Sequence, residues 1–387
     1  MHICLLTRAL PSHQFGGLET HTLALAQGLV SRGHKVTIIS SAKAVTAEFR
    51  SLYSQIKVVE LPKTLPGKYS LSFFRESVKL IDELDKQESF DIIHSQGFAA
   101  FGYMFFKVKP LVVTIHGTLT SETMLFPKKF SIPNLWKYRK RLGISPLYRQ
   151  LLSRADTILV DSHFSEQLLL QENETLNKKL AVVYLGIDTN HFISSDKTKA
   201  KPHFGIASDF LILAFGRITH SKGYHILIEA LRKINNIPYQ VIIAGDGPYR
   251  SQLEKMVKQY HLDRVTFLGK VAESEVPGLY RAADVFVHPD LTAPAFGLVA
   301  AEALSCGTPV IASHTGALPE VVTPEVGITI PPGDPETLAS AMLELYLNSK
   351  RRNQMGIAAR QRAESLFTLE RMAAETESAY RKTVASR

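Results

Sequence analysis

Short apolar runs recur along the chain, and most are followed by a stretch with helical spacing. In the first half the runs at 2–7, 35–40, 56–60, 91–94, 111–115, 157–160 and 181–184 read as buried strands. Between them the pattern predicts helices at 19–32, 70–88, 97–107, 145–153 and 163–171. Residues 20–32 show how: Leu23, Ala26, Leu29 and Val30 fall on one face, and the spacing stops at Gly33. Strands that are apolar throughout, separated by helices, predict a mostly parallel sheet covered on both faces.

Residues 191–207 break this pattern with Asp, Lys, Ser and Pro, and are expected to be a linker. The alternation then restarts. Strands are expected at 210–215, 239–244, 264–268, 284–287, 309–312 and 327–330, and helices at 222–235, 249–260, 275–281, 297–305, 335–347 and 350–365. A chain of 387 residues is long for one domain and comfortable for two. The expected architecture is α/β: two doubly wound Rossmann-like domains, 1–190 and 208–366, facing each other across a cleft. In such sheets ligands bind beyond the carboxyl ends of the strands.

Polar chemistry concentrates at those ends. The apolar run at 210–215 is followed by Gly216-Arg217-Ile218-Thr219-His220-Ser221-Lys222-Gly223. Two glycines bracket two fixed cations and a hydroxyl pair, a composition that can wrap backbone N–H groups and a guanidinium around a phosphate. Arg217 and Lys222 could stabilise the charge that develops on a departing diphosphate; the alternative is a pair of solvated surface cations. Gly245-Asp246-Gly247-Pro248 closes the next apolar run as a sharp turn. Further on, Phe296-Gly297-Leu298-Val299 would open a helix with free N–H groups, and Glu302 follows among apolar neighbours. A carboxylate there could take both hydroxyls of a ribose; a salt bridge within the helix is the alternative. Near the start, Gly16-Gly17 would let a helix N-terminus approach phosphate closely, or simply make a tight turn. His116 follows the strand 111–115 and could meet a sugar hydroxyl or leaving oxygen, with His94 competing for that role. No Asp-x-Asp occurs, so no divalent-metal clamp and no metal site is expected.

Hydrophobic residues make up 45% and charged residues 21% of the chain, which places it among globular proteins. Cys4 and Cys306 sit in apolar surroundings and are expected to be inert thiols rather than a disulfide framework. No basic lead with a cleavage site opens the sequence and no run of 18 apolar residues occurs, so a cytoplasmic protein is expected. The net charge of +9 is uneven: residues 1–200 hold 25 Lys and Arg against 17 Asp and Glu, while residues 201–387 hold 20 against 19. From Lys128 to Arg141 there are six cations, three aromatics and no acid, which suits an anionic membrane surface or a lipid phosphate; a solvated loop is the alternative. No recognition motif for nucleic acid accompanies that patch.

Taken in order, Gly16-Gly17-Leu-Glu-Thr, Ile115-His116-Gly117, Gly216-Arg217 with Lys222-Gly223, Ala244-Gly245-Asp246-Gly247-Pro248, and Phe296-Gly297-Leu298 through Glu302-Ala303-Leu304 with Gly307-Thr308-Pro309-Val310 resemble the retaining glycosyltransferases of family 4, the two-Rossmann-domain GT-B type. The resemblance covers nearly the whole chain. It implies an N-terminal domain that takes the acceptor and a C-terminal domain that takes a nucleotide-sugar, UDP more often than GDP. It implies that the backbone at Gly17 approaches the donor phosphate, that His116 contacts the transferred sugar, that Arg217 and Lys222 clamp the diphosphate, that Glu302 holds the ribose, and that residues around Val271 hold the base. The segment Phe367–Tyr380 resembles a terminal helix that returns to the first domain, which would then include 367–387. Transfer with retained configuration is implied, without a metal or other cofactor, to a glycan, lipid-linked or small-molecule acceptor.

One position departs from the resemblance. The family usually carries two glutamates separated by seven residues; Glu302 is the second, and Pro294 stands where the first would be. Asp290 could then reach in instead, or the donor sugar presents another group, or activity is reduced. A non-catalytic nucleotide-sugar-binding protein and a nucleotide-sugar epimerase are the competing accounts, and no lysine recommends itself for the pyridoxal cofactor of a phosphorylase.

Overall fold

The computed structural model describes every residue except 14–15, 42–44, 118–145, 195–199, 235 and 387. The basic stretch Lys128–Arg141 therefore lies outside the described residues. The described residues form two compact units: 1–117 with 146–186 and 369–386, and 187–368.

The first unit is built on a parallel seven-stranded sheet: β1 His2–Leu6, β2 Lys35–Ser41, β3 Ile56–Leu61, β4 Ile92–Gln96, β5 Leu111–Ile115, β6 Thr157–Val160 and β7 Leu180–Val182. The strand order is β3-β2-β1-β4-β5-β6-β7. All residues of β4 and β5 are buried, which is why these strands carry no polar alternation. Helices Gly17–Ser31, Leu71–Gln87 and His163–Glu172 connect the strands. Ser70 and Ser162 start the last two by accepting from Phe73 N and Ser165 N.

The helix predicted over 97–107 is instead two short 3₁₀ turns, Ala99–Phe101 and Tyr103–Phe105. Ser95 Oγ takes the N–H of Ala100 at 2.8 Å, and Gly102 lies so close to the backbone of Phe74 that a Cβ there would overlap it. Tertiary contacts have overridden the local spacing. The short helices Ala47–Leu52 and Leu318–Val321 had no clear signal in the sequence.

The C-terminal helix Leu369–Ala385 belongs to this first unit and packs on Gly17–Ser31. Gly28 permits the approach: a Cβ there would sit 2.8 Å from that of Ala373. Glu377 pairs with Arg32 at 2.6 Å, and Tyr380 is buried with its hydroxyl 2.6 Å from His94 Nδ1.

The second unit repeats the plan with six parallel strands: β8 Leu211–Phe215, β9 Gln240–Ala244, β10 Val265–Gly269, β11 Val285–His288, β12 Val310–Ser313 and β13 Gly327–Ile330, in the order β10-β9-β8-β11-β12-β13. Both sheets therefore reverse their winding at one place, between β1 and β4 and between β8 and β11. Loops leaving such a pair of neighbouring strands diverge and leave a crevice at the carboxyl edge. Cys4 and Cys306 are both free and buried, and burial pushes the Cys306 thiol up to about 12. Among the described residues no helix is long and apolar enough to cross a membrane.

Candidate active site

In the second unit the loop after β8 is wedged between two others, and glycines make this possible. Gly245 has φ 113°, and a Cβ there would overlap the carbonyl oxygen of Gly216; one at Gly247 would overlap that of Ile218. The loops after β8 and β9 thus run backbone against backbone, joined by Gly216 N to Ala244 O at 3.1 Å, Ile218 N to Asp246 O at 2.9 Å and Tyr249 N to Ile218 O at 3.1 Å. On the other side Gly223, at φ 66°, lies against the carbonyl of Pro289, while Leu291 N donates to Ser221 O at 2.8 Å. The segment 216–223 is consequently a fixed platform at the β8/β11 reversal rather than a mobile loop.

That platform presents two cations. Arg217 is exposed, and its guanidinium has no ion-pair or hydrogen-bond partner among the described residues. Lys222 is half-buried, and its Nζ lies 2.6 Å from Asp290 Oδ2. Asp290, one candidate to stand in for the glutamate that Pro294 replaces, turns its side chain onto Lys222, His288 and Thr292. Its side chain is wholly buried, with Oδ2 also 3.3 Å from His288 Nε2 and Oδ1 accepting from Thr292 Oγ1 at 3.1 Å. Burial pushes this carboxyl up, but His288 and the Lys222 charge outweigh burial and hold it at about 2. Asp290 therefore anchors Lys222.

The loop after β11 leads into the helix Leu298–Ser305. Gly297, at φ 112°, caps it, and a Cβ there would meet Leu318 Cδ2 at 2.7 Å. The N–H groups of Leu298 and Val299 are the first of the helix and have no acceptor within it. Phe296 is buried, with its ring 5.4 Å from that of Phe367, so its side chain is core and only its backbone borders the helix start. Glu302 lies one turn in, half-buried, accepting from the buried Tyr280 hydroxyl at 3.0 Å. Burial pushes its carboxyl up to about 7, against the downward pull of that hydrogen bond. The Tyr280 ring is 5.8 Å from Phe215, the last residue of β8, so Glu302 is tied to the same sheet edge as the platform. Pro294 accepts from Ala317 N at 2.9 Å, which seats the 289–295 loop on the turn at Gly316. Val271 is half-buried just beyond β10, whose last residue, Gly269, accepts from Gly245 N at 2.6 Å.

Gly16, Gly17 and His116 belong to the first unit. Gly16 is extended, and a Cβ there would strike the carboxylate of the buried Glu19, which lies 3.5 Å from Arg8 Nε. Above Gly17 the space is open to 4 Å, so a ligand could approach the helix start. His116 is half-buried beyond β5, with Nδ1 2.9 Å from Asp161 Oδ2 and Nε2 2.8 Å from Gln96 Oε1. His94 is ruled out as its competitor. It is wholly buried, both ring nitrogens are engaged by Tyr380 and Thr114 at 2.6 Å, and burial pulls its pKa down to about 3. Asp161, Gln96, His21 and Glu19 were not anticipated. Gln96 and Asp161 are polar residues at the carboxyl ends of apolar strands, and that was the available signal.

Comparison with known proteins bears on both units. Residues 15–191 match the model of Glycosyltransferase Family 4, and residues 196–362 match that of Glycosyl transferases group 1. The chain is a GT-B-fold glycosyltransferase related to these families. It is 29% identical over 88% of its length to an uncharacterized glycosyltransferase of Methanocaldococcus jannaschii, covering 87% of that protein. It is 25% identical over 81% of its length to the GPI3 subunit of phosphatidylinositol N-acetylglucosaminyltransferase from Saccharomyces cerevisiae, covering 68% of that protein. The fold matches that of sucrose-phosphate synthase from Thermosynechococcus elongatus, with TM-score 0.82, 22% identity and complete coverage of both chains. It also matches Anabaena HepE in complex with UDP-glucose, with TM-score 0.77, 24% identity and complete coverage of both. In this glycosyltransferase the two doubly wound sheets, which the strand pattern led one to expect, are thus those of the GT-B fold that the resemblance implied.

Proposed function

We propose that this glycosyltransferase moves a hexose-type sugar from a UDP-sugar to an acceptor hydroxyl with retained anomeric configuration. The observation that carries this reading is the platform 216–223, which holds a guanidinium without a partner among the described residues and an anchored ammonium at the β8/β11 reversal, with Glu302 tied to the same edge. Arg217 and Lys222 would grip the diphosphate, and the N–H groups of Leu298 and Val299 would add a helix terminus. Glu302 would take the ribose hydroxyls, and the backbone near Val271 the base. The solved Anabaena relative binds UDP-glucose, which favours UDP as the nucleotide here.

In the step itself the bond from the anomeric carbon to the β-phosphate oxygen breaks. The acceptor oxygen bonds to that carbon on the same face, and its proton passes to the departing phosphate oxygen. Charge therefore collects on the diphosphate as the bond lengthens, and two preorganised cations stabilise that charge more than they stabilise the bound donor. His116, in the first unit, would meet a hydroxyl of the transferred sugar. For the acceptor, the phosphatidylinositol-modifying relative favours a lipid-borne alcohol over a soluble glycan. The basic stretch Lys128–Arg141 would then serve contact with an anionic membrane surface.

The test is a panel of UDP- and GDP-sugars incubated with the protein and followed by mass spectrometry for bound donor and released nucleoside diphosphate. UDP release that rises with added acceptor alcohol supports the reading, and the anomeric coupling of the product reports retention. Arg217→Ala and Lys222→Ala should each lower transfer by about 100-fold while leaving acceptor affinity within about twofold. Equal losses in transfer and acceptor binding would remove their assigned role. Pro294, in place of the usual glutamate, supports a second reading, a nucleotide-sugar-binding protein, which requires bound donor with no turnover by any acceptor.

A further inference from the structure

His116 is held more firmly than a side chain that only meets a sugar hydroxyl requires. Its strand β5 lies between β4 and β6, with Gln96 beside Thr114 and Ile115 beside Val160 in register. Gln96, the last residue of β4, and Asp161, just past β6, therefore reach the imidazole from opposite sides, at 2.8 Å and 2.9 Å. Both are buried. Gln96 is backed by His94, whose Nε2 lies 3.4 Å from its Nε2, and His94 is fixed in turn by Thr114 and by Tyr380 of the C-terminal helix.

Asp161 is the informative member. Among the described residues Oδ2 has one partner, His116, and Oδ1 is buried without any. A buried carboxylate with one oxygen unsatisfied, and with a His116 side chain only 12% exposed as its partner, adds little net stability to the fold. What the arrangement does is orient its neighbour, the His116 ring. A carboxylate oxygen only accepts, so the proton facing it is on Nδ1. Its other partner differs, because an amide can turn either its oxygen or its nitrogen to Nε2. His21 lies edge-on to His116 at 4.7 Å, its ring nitrogens buried and without a partner among the described residues, and burial keeps it neutral, so His21 does not compete for Asp161 as a cation.

We propose that Asp161 and Gln96 are positioning residues of the transfer reaction: Asp161 fixes the proton of His116 on Nδ1, and Gln96 holds Nε2 aimed and ready to exchange its amide partner for a hydroxyl of the sugar. This rests on the reading that His116 meets the transferred sugar. The arrangement leaves one ring nitrogen whose hydrogen-bonding direction is set before substrate arrives, which saves reorganisation in the transition state.

Asp161→Asn, Asp161→Leu and His116→Ala should be compared in the full chain. Asp161→Asn should lower kcat about 10- to 100-fold with the donor KM within about twofold, because the amide can present N–H to Nδ1 and favour the opposite tautomer. Nitrogen-15 spectra of the histidine rings should show the Nδ1–H form of His116 in the unaltered protein and its loss in Asp161→Asn. Urea midpoints of both Asp161 variants should equal or exceed that of the parent. A parent-like kcat and tautomer in Asp161→Asn would overturn the proposal, as would a large loss of stability in both variants, which would make Asp161 a fold residue. If His116→Ala itself retained full transfer, the role of His116 would fall, and this inference with it. A large loss in His116→Ala alone would leave that role standing and overturn only the part given to Asp161.

Discussion

Replacing Asp290 by Asn tests the link between the platform's charge and the fold most directly. The substitution keeps size and shape, and it leaves an oxygen for Thr292 to bond. It removes the charge that faces Lys222 at 2.6 Å and His288 at 3.3 Å. A carboxyl held at about 2 against an ordinary 3.8 favours its ionised form in the folded chain by about 2 kcal/mol at neutral pH. The sign follows from the lowered value. The contribution is complete above pH 4, where the unfolded chain's carboxyl is ionised too, and it fades as pH falls through 4 toward 2. The Lys222 side chain is about one-third exposed, so water takes up part of its charge when the partner is lost, and a loss of 1–2 kcal/mol is the better expectation. The assay is urea unfolding followed by circular dichroism at pH 7, 5, 4 and 3, on the parent, Asp290→Asn, Lys222→Met and the double variant. At pH 7 Asp290→Asn should lose about 1–2 kcal/mol, and the difference from the parent should shrink at pH 3. In the Lys222→Met background the same change should cost less. A pH-independent loss would place the effect in packing rather than charge, and no loss at pH 7 would refute the anchoring of Lys222 by Asp290.

Glu302 should give the opposite pH signature. Its carboxyl is raised to about 7 from an ordinary 4.5, so the fold favours the neutral form. That contribution is complete below pH 4.5 and is lost as pH rises through 7. Urea midpoints between pH 5 and 8 should fall in the parent and stay flatter in Glu302→Gln; parallel profiles would dismiss the raised value. Gly223→Ala should cost 1 kcal/mol or more from its left-handed backbone alone, since φ is 66°. It should also lower UDP affinity at least tenfold, because a Cβ would force the platform off Pro289. Calorimetric titration with UDP checks this, and parent-like affinity would show that the wedge between the loops does not shape the donor site.

Much of this protein was legible in its residues. Largely apolar strands such as Leu111–Ile115, buried at every residue, fit a covered parallel sheet, so the strand pattern announced two doubly wound units. Glycines at 216, 223, 245 and 297 marked the loops because all four adopt positive φ. The 97–107 segment misled because its spacing is helical while Gly102 and Ser95 serve contacts from outside it. The partner of Asp290 was hidden for a related reason: its sequence position says that it follows β11, not that Lys222, 68 residues earlier, turns onto it. The same holds for Asp161 and Gln96, which meet His116 only because β4, β5 and β6 are neighbours in register.

The sequence by itself determined the alternation of strands and helices, the two-unit plan and the loops that carry charge. These follow from local preference and from periodicity, which any stretch of chain expresses alone. Only the tertiary structure decided which carboxylate anchors the lysine, which histidine stands half-buried between Gln96 and Asp161 and which is sealed beneath Tyr380. Pairing at 3 Å depends on strand order, and strand order is a property of the whole sheet.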